Sequence, residues 1–326
     1  MVISQTPLRM SFAGGGSDLP AFYRKFGGAV VSTTVAKYVY VAVNEKFDHR
    51  IRLSYSKTEE VETADQLEHT LVRAVLQKMD IAGVEITSIA DIPSRGTGMG
   101  SSSSFTIGLL HALHAYRHQY VSAADLATES CAVEIDLCGE RIGKQDQYAA
   151  AFGGLNFIRF DRDDSVMVEP IICRKETLHT LEHSILTFYT GITRSASGIL
   201  NHQSAQTEED EKTQDTLRRM VDLAHTLRDE LRKNNLSAFG EILHENWQLK
   251  RKITPEISNP AIDEWYESAR AAGAVGGKLL GAGGGGFLMF YAPPERHAAI
   301  VEALPDLRQI EFPFDKRGSR IILYQD

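Results

Sequence analysis

Three glycines at alternate positions, Gly96, Gly98 and Gly100, run into four consecutive serines, Ser101 to Ser104. An apolar, strand-like run ends just before them at Ile92-Pro93, and a helical pattern of Phe105, Leu109, Leu110 and Leu113 follows. Backbone without side chains lets N–H groups close on an anion. A helix start adds unpaired donors and the positive end of its dipole, and serine hydroxyls add hydrogen bonds and can ligate Mg²⁺. The chemistry this arrangement supports is a phosphate cradle, although the same residues also describe a flexible loop ending in a helix cap. The stretch has no Gly-Lys-Ser/Thr ending, so it is not a Walker A loop. Val-Ala-Ile-Lys, His-Arg-Asp and Asp-Phe-Gly elements are also missing, so it is not a protein-kinase glycine loop.

Two carboxylate sets could act beside such a cradle. Alternation places Leu8, Met10 and Phe12 on one face of an early strand and Arg9, Ser11 and Ala13 on the other. Gly14-Gly15-Gly16-Ser17-Asp18 follows, so Arg9 and Asp18 could meet over a bound polyol. The guanidinium would ease an incipient alkoxide and the carboxylate would accept sugar hydroxyls. A glycine turn with an Asp cap and a surface arginine is the plainer alternative. Further on, Glu134 lies in a helical pattern and Asp146 in or beside the turn that Gly139 and Gly143 bracket. Mg²⁺ needs only one or two carboxylates, and a second acid could take or orient an acceptor proton. Equally, Asp146 could cap the next helix and Glu134 could be a solvated helix charge. Finally, Gly283 to Gly286 enter an apolar strand after Lys278, which implies backbone lying close against a ligand or another loop, or a flexible turn.

These residues must be held by elements that the rest of the chain supplies. Strands are expected over 2–4, 7–13, 29–34, 38–44, 51–56, 84–90, 155–160, 166–172 and 185–189, with a terminal strand in 309–326. Helices are expected over 64–79, from the serines to about 118, and over 122–137, 207–233, 236–252 and 260–272, with 190–197 as a loop. The 326 residues suit two domains, 1–175 and 176–326. A net charge of −8 argues against a nucleic-acid surface. Three cysteines, Cys131, Cys138 and Cys173, point to a reducing compartment without a disulfide framework. No apolar run reaches the roughly 18 residues of a membrane span and no secretory signal opens the chain, so a cytoplasmic protein is expected.

Several of these stretches resemble one family. Gly98-Met99-Gly100-Ser101-Ser102-Ser103 is similar to the Gly-Leu-Gly-Ser-Ser-Ala loop of the GHMP kinases, with Met for Leu and one extra residue between Pro93 and Gly98. Pro7-x-Arg9 with Asp18 resembles the first galactokinase motif. Ser11 to Pro20 looks more like the heptose-phosphate and fucose kinases, and the Gly-Glu-His of galactokinase is absent. Glu134, then Gly143-x-x-Asp146-Gln147 and Gly153-Gly154, is similar to a further galactokinase pattern, and Lys278-x-x-Gly-x-Gly-Gly-Gly to the third motif.

The resemblance implies an α+β fold with an N-terminal unit like ribosomal protein S5 domain 2 and a ferredoxin-like C-terminal unit. It implies ATP and Mg²⁺, with Gly96, Gly98, Gly100, Ser101, Ser102 and Ser103 around the nucleotide and Ser102 and Glu134 on the metal. Asp146 and Arg9 would be catalytic. Asp18, Gly15, Gly16, Ser17, Gly283 and Gly284 would line the acceptor pocket. Arg194, Arg95, Arg24 and Lys25 are candidates for a second anion site. The implied reaction is phosphorylation of a sugar's anomeric hydroxyl, D-glycero-D-manno-heptose 7-phosphate going to the 1,7-bisphosphate for nucleotide-heptose biosynthesis. Fucokinase or another hexose 1-kinase, and a non-catalytic sugar and ATP sensor, are the alternatives. The partner is then a small sugar or sugar phosphate, not nucleic acid or membrane, and a homodimer is compatible with it.

Overall fold

Apolar alternation makes a strand of β1 (Val2–Ala13), and Leu8, Met10 and Phe12 are fully buried as expected. The computed structural model describes residues 1–93, 96–193 and 196–325. After β1 come α1 (Pro20–Phe26), which opens on a proline suited to a first helical turn, and the long β2 (Gly28–Glu45). β3 (Ile51–Ser54), β4 (Thr58–Val61), α2 (Thr70–Met79) and β5 (Val84–Ala90) lead to the glycine-serine loop. α3 (Ser101–Tyr116) and α5 (Gln145–Phe152) pack on β1 and β2, with α4 (Ala123–Cys131) against both helices. β6 (Leu155–Phe160) and β7 (Val166–Pro170) form the following hairpin.

The second half begins with α6 (Lys175–His183), β8 (Ile185–Tyr189), α7 (Ala196–Glu209), α8 (Glu211–Arg232), α9 (Phe239–Lys250) and α10 (Pro260–Ala271). β9 (Gly276–Leu279), β10 (Phe287–Tyr291), α11 (His297–Ala303) and the short β11 (Arg308–Gln309), β12 (Phe314–Asp315) and β13 (Arg320–Tyr324) complete it. One nine-stranded sheet runs β13-β1-β2-β5-β3-β4, with β6 and β12 also on β2 and β7 on β6. A four-stranded antiparallel sheet runs β11-β8-β10-β9. The two-domain division at 175 and 176 therefore stands as a proposal, and in it β12 and β13 cross back onto the first sheet.

Tertiary pairing redraws several expected elements. The strands expected over 29–34 and 38–44 are one strand, β2, whose first half pairs with β6 and second half with β5. The expected helix over 64–79 is a 3₁₀ turn at Ala64–Gln66 and then α2. That over 122–137 is α4 followed by a π-helical turn at Ala132–Leu137. α7 and α8 replace one long helix and the end of the expected loop. They part at Asp210, whose carboxylate accepts the Lys212 and Thr213 N–H groups. No helix among the described residues is long and apolar enough to cross a membrane.

Two apolar cores result. Leu109, Leu110 and Leu113 of α3 pack over Val31 and Val41 of β2 in the first, and Trp247, Tyr266, Phe188 and Phe290 fill the second. α8 and α9 serve both, for Leu227 and Phe239 join the first and Leu217 and Trp247 the second. The Phe12 and Phe239 rings meet edge to face at 5.2 Å, so the two halves are packed together behind the glycine loops. The C-terminal tail is seated against Gly153 (φ 70°), where a Cβ would fall on the backbone of Arg317 and Gly318. Gly153→Ala should destabilise the fold by on the order of 2 kcal/mol, read as a lowered urea midpoint at unchanged m.

Candidate active site

The glycine-serine loop folds as a helix entry. Gly100 (φ 75°) is the residue before α3, and the first-turn N–H groups of Ser101, Ser102 and Ser103 have no intrahelical acceptor. The serines divide the work. Ser104 Oγ donates to the Pro7 carbonyl at 2.8 Å and Ser101 Oγ lies 3.4 Å from Thr97 Oγ1, whereas Ser102 is exposed. The loop is backed by the second glycine run. Gly98 and Gly281 face each other so closely that a Cβ on Gly98 would fall inside the Leu280 carbonyl and one on Gly281 onto Gly98 itself. Both residues have positive φ, 73° and 77°, which glycine adopts without strain. The rest of the run is equally hemmed in. Gly284 N–H donates to the Ile257 carbonyl at 3.0 Å, and a Cβ on Gly283 would lie 2.7 Å from Ile257 Cα. The Gly283 to Gly286 stretch is thus a packed wall rather than a loose turn.

Arg9 and Asp146 meet beside this loop. Arg9 Nε and Nη2 each donate to an Asp146 carboxylate oxygen at 2.8 Å, and Nη1 donates to the Gly98 carbonyl at 2.6 Å. Arg9 is buried and Asp146 is 24% exposed, so the carboxylate keeps an open edge. Neither is the surface arginine or simple helix cap that the bare residues also allowed; α5 has no side-chain cap at its N-terminus. Asp18, also buried, accepts the Gly16 N–H at 3.0 Å and the Gln145 N–H at 3.2 Å. Burial and then the neighbouring Asp146 raise its pKa, partly offset by those N–H bonds. Gly143 makes this approach possible, because a Cβ there would overlap the Asp18 carboxylate. Ser17 shapes the turn instead of offering a hydroxyl: its Oγ donates to Gly14 O at 2.8 Å and accepts from Ala29 N–H at 3.1 Å. Gly15 and Gly16 lie between Ser17 and β1, with Gln145 and Gln203 beside them.

Glu134 is buried in the π-helical turn, so it is no solvated helix charge. Thr106 donates to one oxygen at 2.8 Å, and Ser103, at 2.9 Å, and Gln147 donate to the other. The loop serine on Glu134 is therefore Ser103, with Ser102 one residue earlier on the same helical turn. Burial pushes Glu134 up to about 7 against these hydrogen bonds. Among the described residues no cluster of three or more His, Cys, Asp or Glu could hold a metal ion. A hard cation that keeps most of its own water and phosphate ligands still fits a buried carboxylate without a cationic partner and serine oxygens close by.

Three neighbours had no site role assigned from the sequence, although Lys278 and Gln147 belong to its motifs. Lys250, the last residue of α9, is 4% exposed and donates to the Gly281 carbonyl at 2.5 Å. Lys278 Nζ donates to the Ser11 carbonyl at 2.8 Å. Gln147 holds Glu134. Lys250 had a legible signal, since it lies at helical spacing behind Leu243 and Trp247, on the face α9 buries. Arg194 and Arg95 lie outside the described residues. Arg24 is spent on Asp164 at 3.2 Å, together with Tyr23 and Lys144, and Lys25 reaches the Glu208 carbonyl at 3.5 Å.

Family models match the chain twice. One, described as the GHMP kinases N terminal domain, matches residues 67–154; the other, GHMP kinases C terminal, matches 227–307. A D-glycero-alpha-D-manno-heptose 7-phosphate kinase of Campylobacter jejuni is 28% identical over 97% of both chains. The crystal structure of a D-glycero-D-manno-heptose 1-phosphate kinase from Bacteroides thetaiotaomicron superposes with a TM-score of 0.81 over all of both chains, at 26% identity. Lactococcus lactis galactokinase complexed with galactose has the same fold, with a TM-score of 0.78 over 98% of this chain and 94% of that one at 18% identity.

The Arg9–Asp146 pair should be energetically lopsided. Asp146→Asn strands a buried guanidinium and should cost on the order of 3 kcal/mol, while Arg9→Met leaves a carboxylate that water can reach and should cost about half that. Urea denaturation of the two variants checks the order.

Proposed function

For a chain that belongs to the GHMP kinases, we propose phosphoryl transfer from ATP to the anomeric hydroxyl of D-glycero-D-manno-heptose 7-phosphate, giving the 1,7-bisphosphate used to build nucleotide-linked heptose. That the protein is a kinase of the sugar-kinase type follows from its relatives. The acceptor is the proposed step, and its support is likeness along 97% of the chain to a heptose 7-phosphate kinase. One observation carries the mechanism: a single guanidinium, Arg9, touches both the Asp146 carboxylate and the phosphate-loop carbonyl of Gly98. Acceptor chemistry and nucleotide binding are thereby fixed in one frame.

The phosphates would rest on the N–H groups at the start of α3 and on the backbone of Gly96, Gly98 and Gly100. Asp18, whose oxygens each accept one backbone N–H, would accept sugar hydroxyls at its remaining lone pairs. Asp146 would orient the anomeric hydroxyl and receive its proton as the oxygen attacks, and Arg9 would steady the charge that develops. A magnesium ion held by Ser102 and Glu134 would supply charge neutralisation to the phosphate oxygens. The remaining rate enhancement is positional, since the reacting groups arrive on rigid elements rather than on free loops. We place the activity in the cytoplasm, where ATP and sugar phosphates are at hand.

A kinase assay with Mg-ATP across free sugars and sugar phosphates tests this. The heptose 7-phosphate should be the fastest acceptor, and Asp146→Asn should lower kcat by about 10²- to 10⁴-fold. Faster turnover of free fucose or galactose would overturn the assigned acceptor. Glu134→Gln should raise the Mg²⁺ concentration needed for half-maximal rate with that acceptor, since one of the two proposed protein ligands is lost.

A further inference from the structure

We infer that Lys250 is a positioning residue of the phosphoryl-transfer site, its ammonium fixing where the Gly281 turn sits on the phosphate loop and balancing the charge of the acceptor-side floor. The inference rests on the kinase reading above and adds to it a group from α9, outside the glycine motifs.

Charge bookkeeping in the floor leads there. Arg9 is committed, with two donors on Asp146 and a third on Gly98. Asp18 receives backbone N–H groups, from Gly16 and Gln145, and burial with Asp146 nearby drives its pKa up. Lys278 is spent on the Ser11 and Phe12 carbonyls, and burial, then Lys250 and Arg9, hold it well below the ordinary lysine value. Among the described residues that leaves Lys250 as the buried cation on whose charge both acids act. The charges that act on its ammonium are Asp18 from the loop after β1, Arg9 from β1, Asp146 from α5 and Lys278 from β9. Its own bond, 2.5 Å to the Gly281 carbonyl, reaches the residue that lies directly on Gly98. One side chain thus ties the second glycine run to the carboxylate floor.

Burial pulls Lys250 down to about 8, while Asp18 and Asp146 oppose the drop and Arg9 adds to it. Folded, the ammonium is present below that pH and lost as pH rises through it; in the unfolded chain it persists to the ordinary 10.5. Between those values the unfolded chain binds more protons, so this residue makes stability rise with pH.

The test uses the full chain with Mg-ATP and whichever sugar or sugar phosphate the wild type turns over. A wild type that turns over none sinks the kinase reading and leaves the stability arm below to judge Lys250. With turnover, Lys250→Met should lower kcat/KM about 100-fold near neutrality. It should also move the acid limb of the pH profile upward by on the order of one unit, because Asp18 loses its counter-cation. Lys250→Arg should recover much of the rate and lose the alkaline limb near pH 8, since a guanidinium stays charged. A Lys250→Met profile merely lowered and parallel to wild type, or a Lys250→Arg profile that still falls near pH 8, would overturn the inference. Independently of any acceptor, the urea midpoint of wild type should gain on that of Lys250→Met between about pH 8 and 10.5. A constant difference there also overturns it.

Discussion

A single buried guanidinium holds the working parts of this molecule in register. Arg9 stands on β1, where that strand pairs with β2 in the large sheet, and its three donor atoms reach the start of one helix and the loop that opens another. Its backbone N–H adds a bond to the Met99 carbonyl at 3.1 Å. A planar fork with fixed donor directions can satisfy two acceptors in one geometry only, so α5 and the glycine-serine loop cannot drift independently of β1. An ammonium at this position would supply the charge without that constraint.

Around this pivot, close approach is achieved by omission. Gly98 against Gly281, and Gly143 against Asp18, are places where a methyl group would occupy space already filled by backbone or carboxylate. Two chain segments about 180 residues apart therefore share one wall of the cleft, and the glycine-serine loop is braced by protein rather than by solvent. Rigidity of this kind suits a transfer in which the protein contributes mainly placement and charge.

The electrostatics follow from the same compactness. Acids and bases packed into one floor exclude water, so each is costly unless partnered. Glu134 shows the cost of burial: three hydrogen-bond donors surround it and burial still raises it to about 7. The π-helical turn that carries it widens the helix at the point where a straight α-helix was expected.

Much of this was legible before any coordinates. The glycine and serine spacing, the alternation around Arg9 and the order of the motifs identified the family and the fold class, and they drew attention to Arg9, Asp146 and the glycines that pack together in the structure, because those features are local and obligatory. Backbone that must approach an anion needs glycine, and a half-buried strand needs period two. What the chain alone could not show is set by contacts between distant segments. That β2 is one strand rather than two depends on its neighbours β5 and β6. That Ser103 rather than Ser102 meets Glu134 depends on the turn of a distorted helix. The spacing of Lys250 behind Leu243 and Trp247 marked it as buried, but its partner, the Gly281 carbonyl, appeared only once α9 lay against that turn.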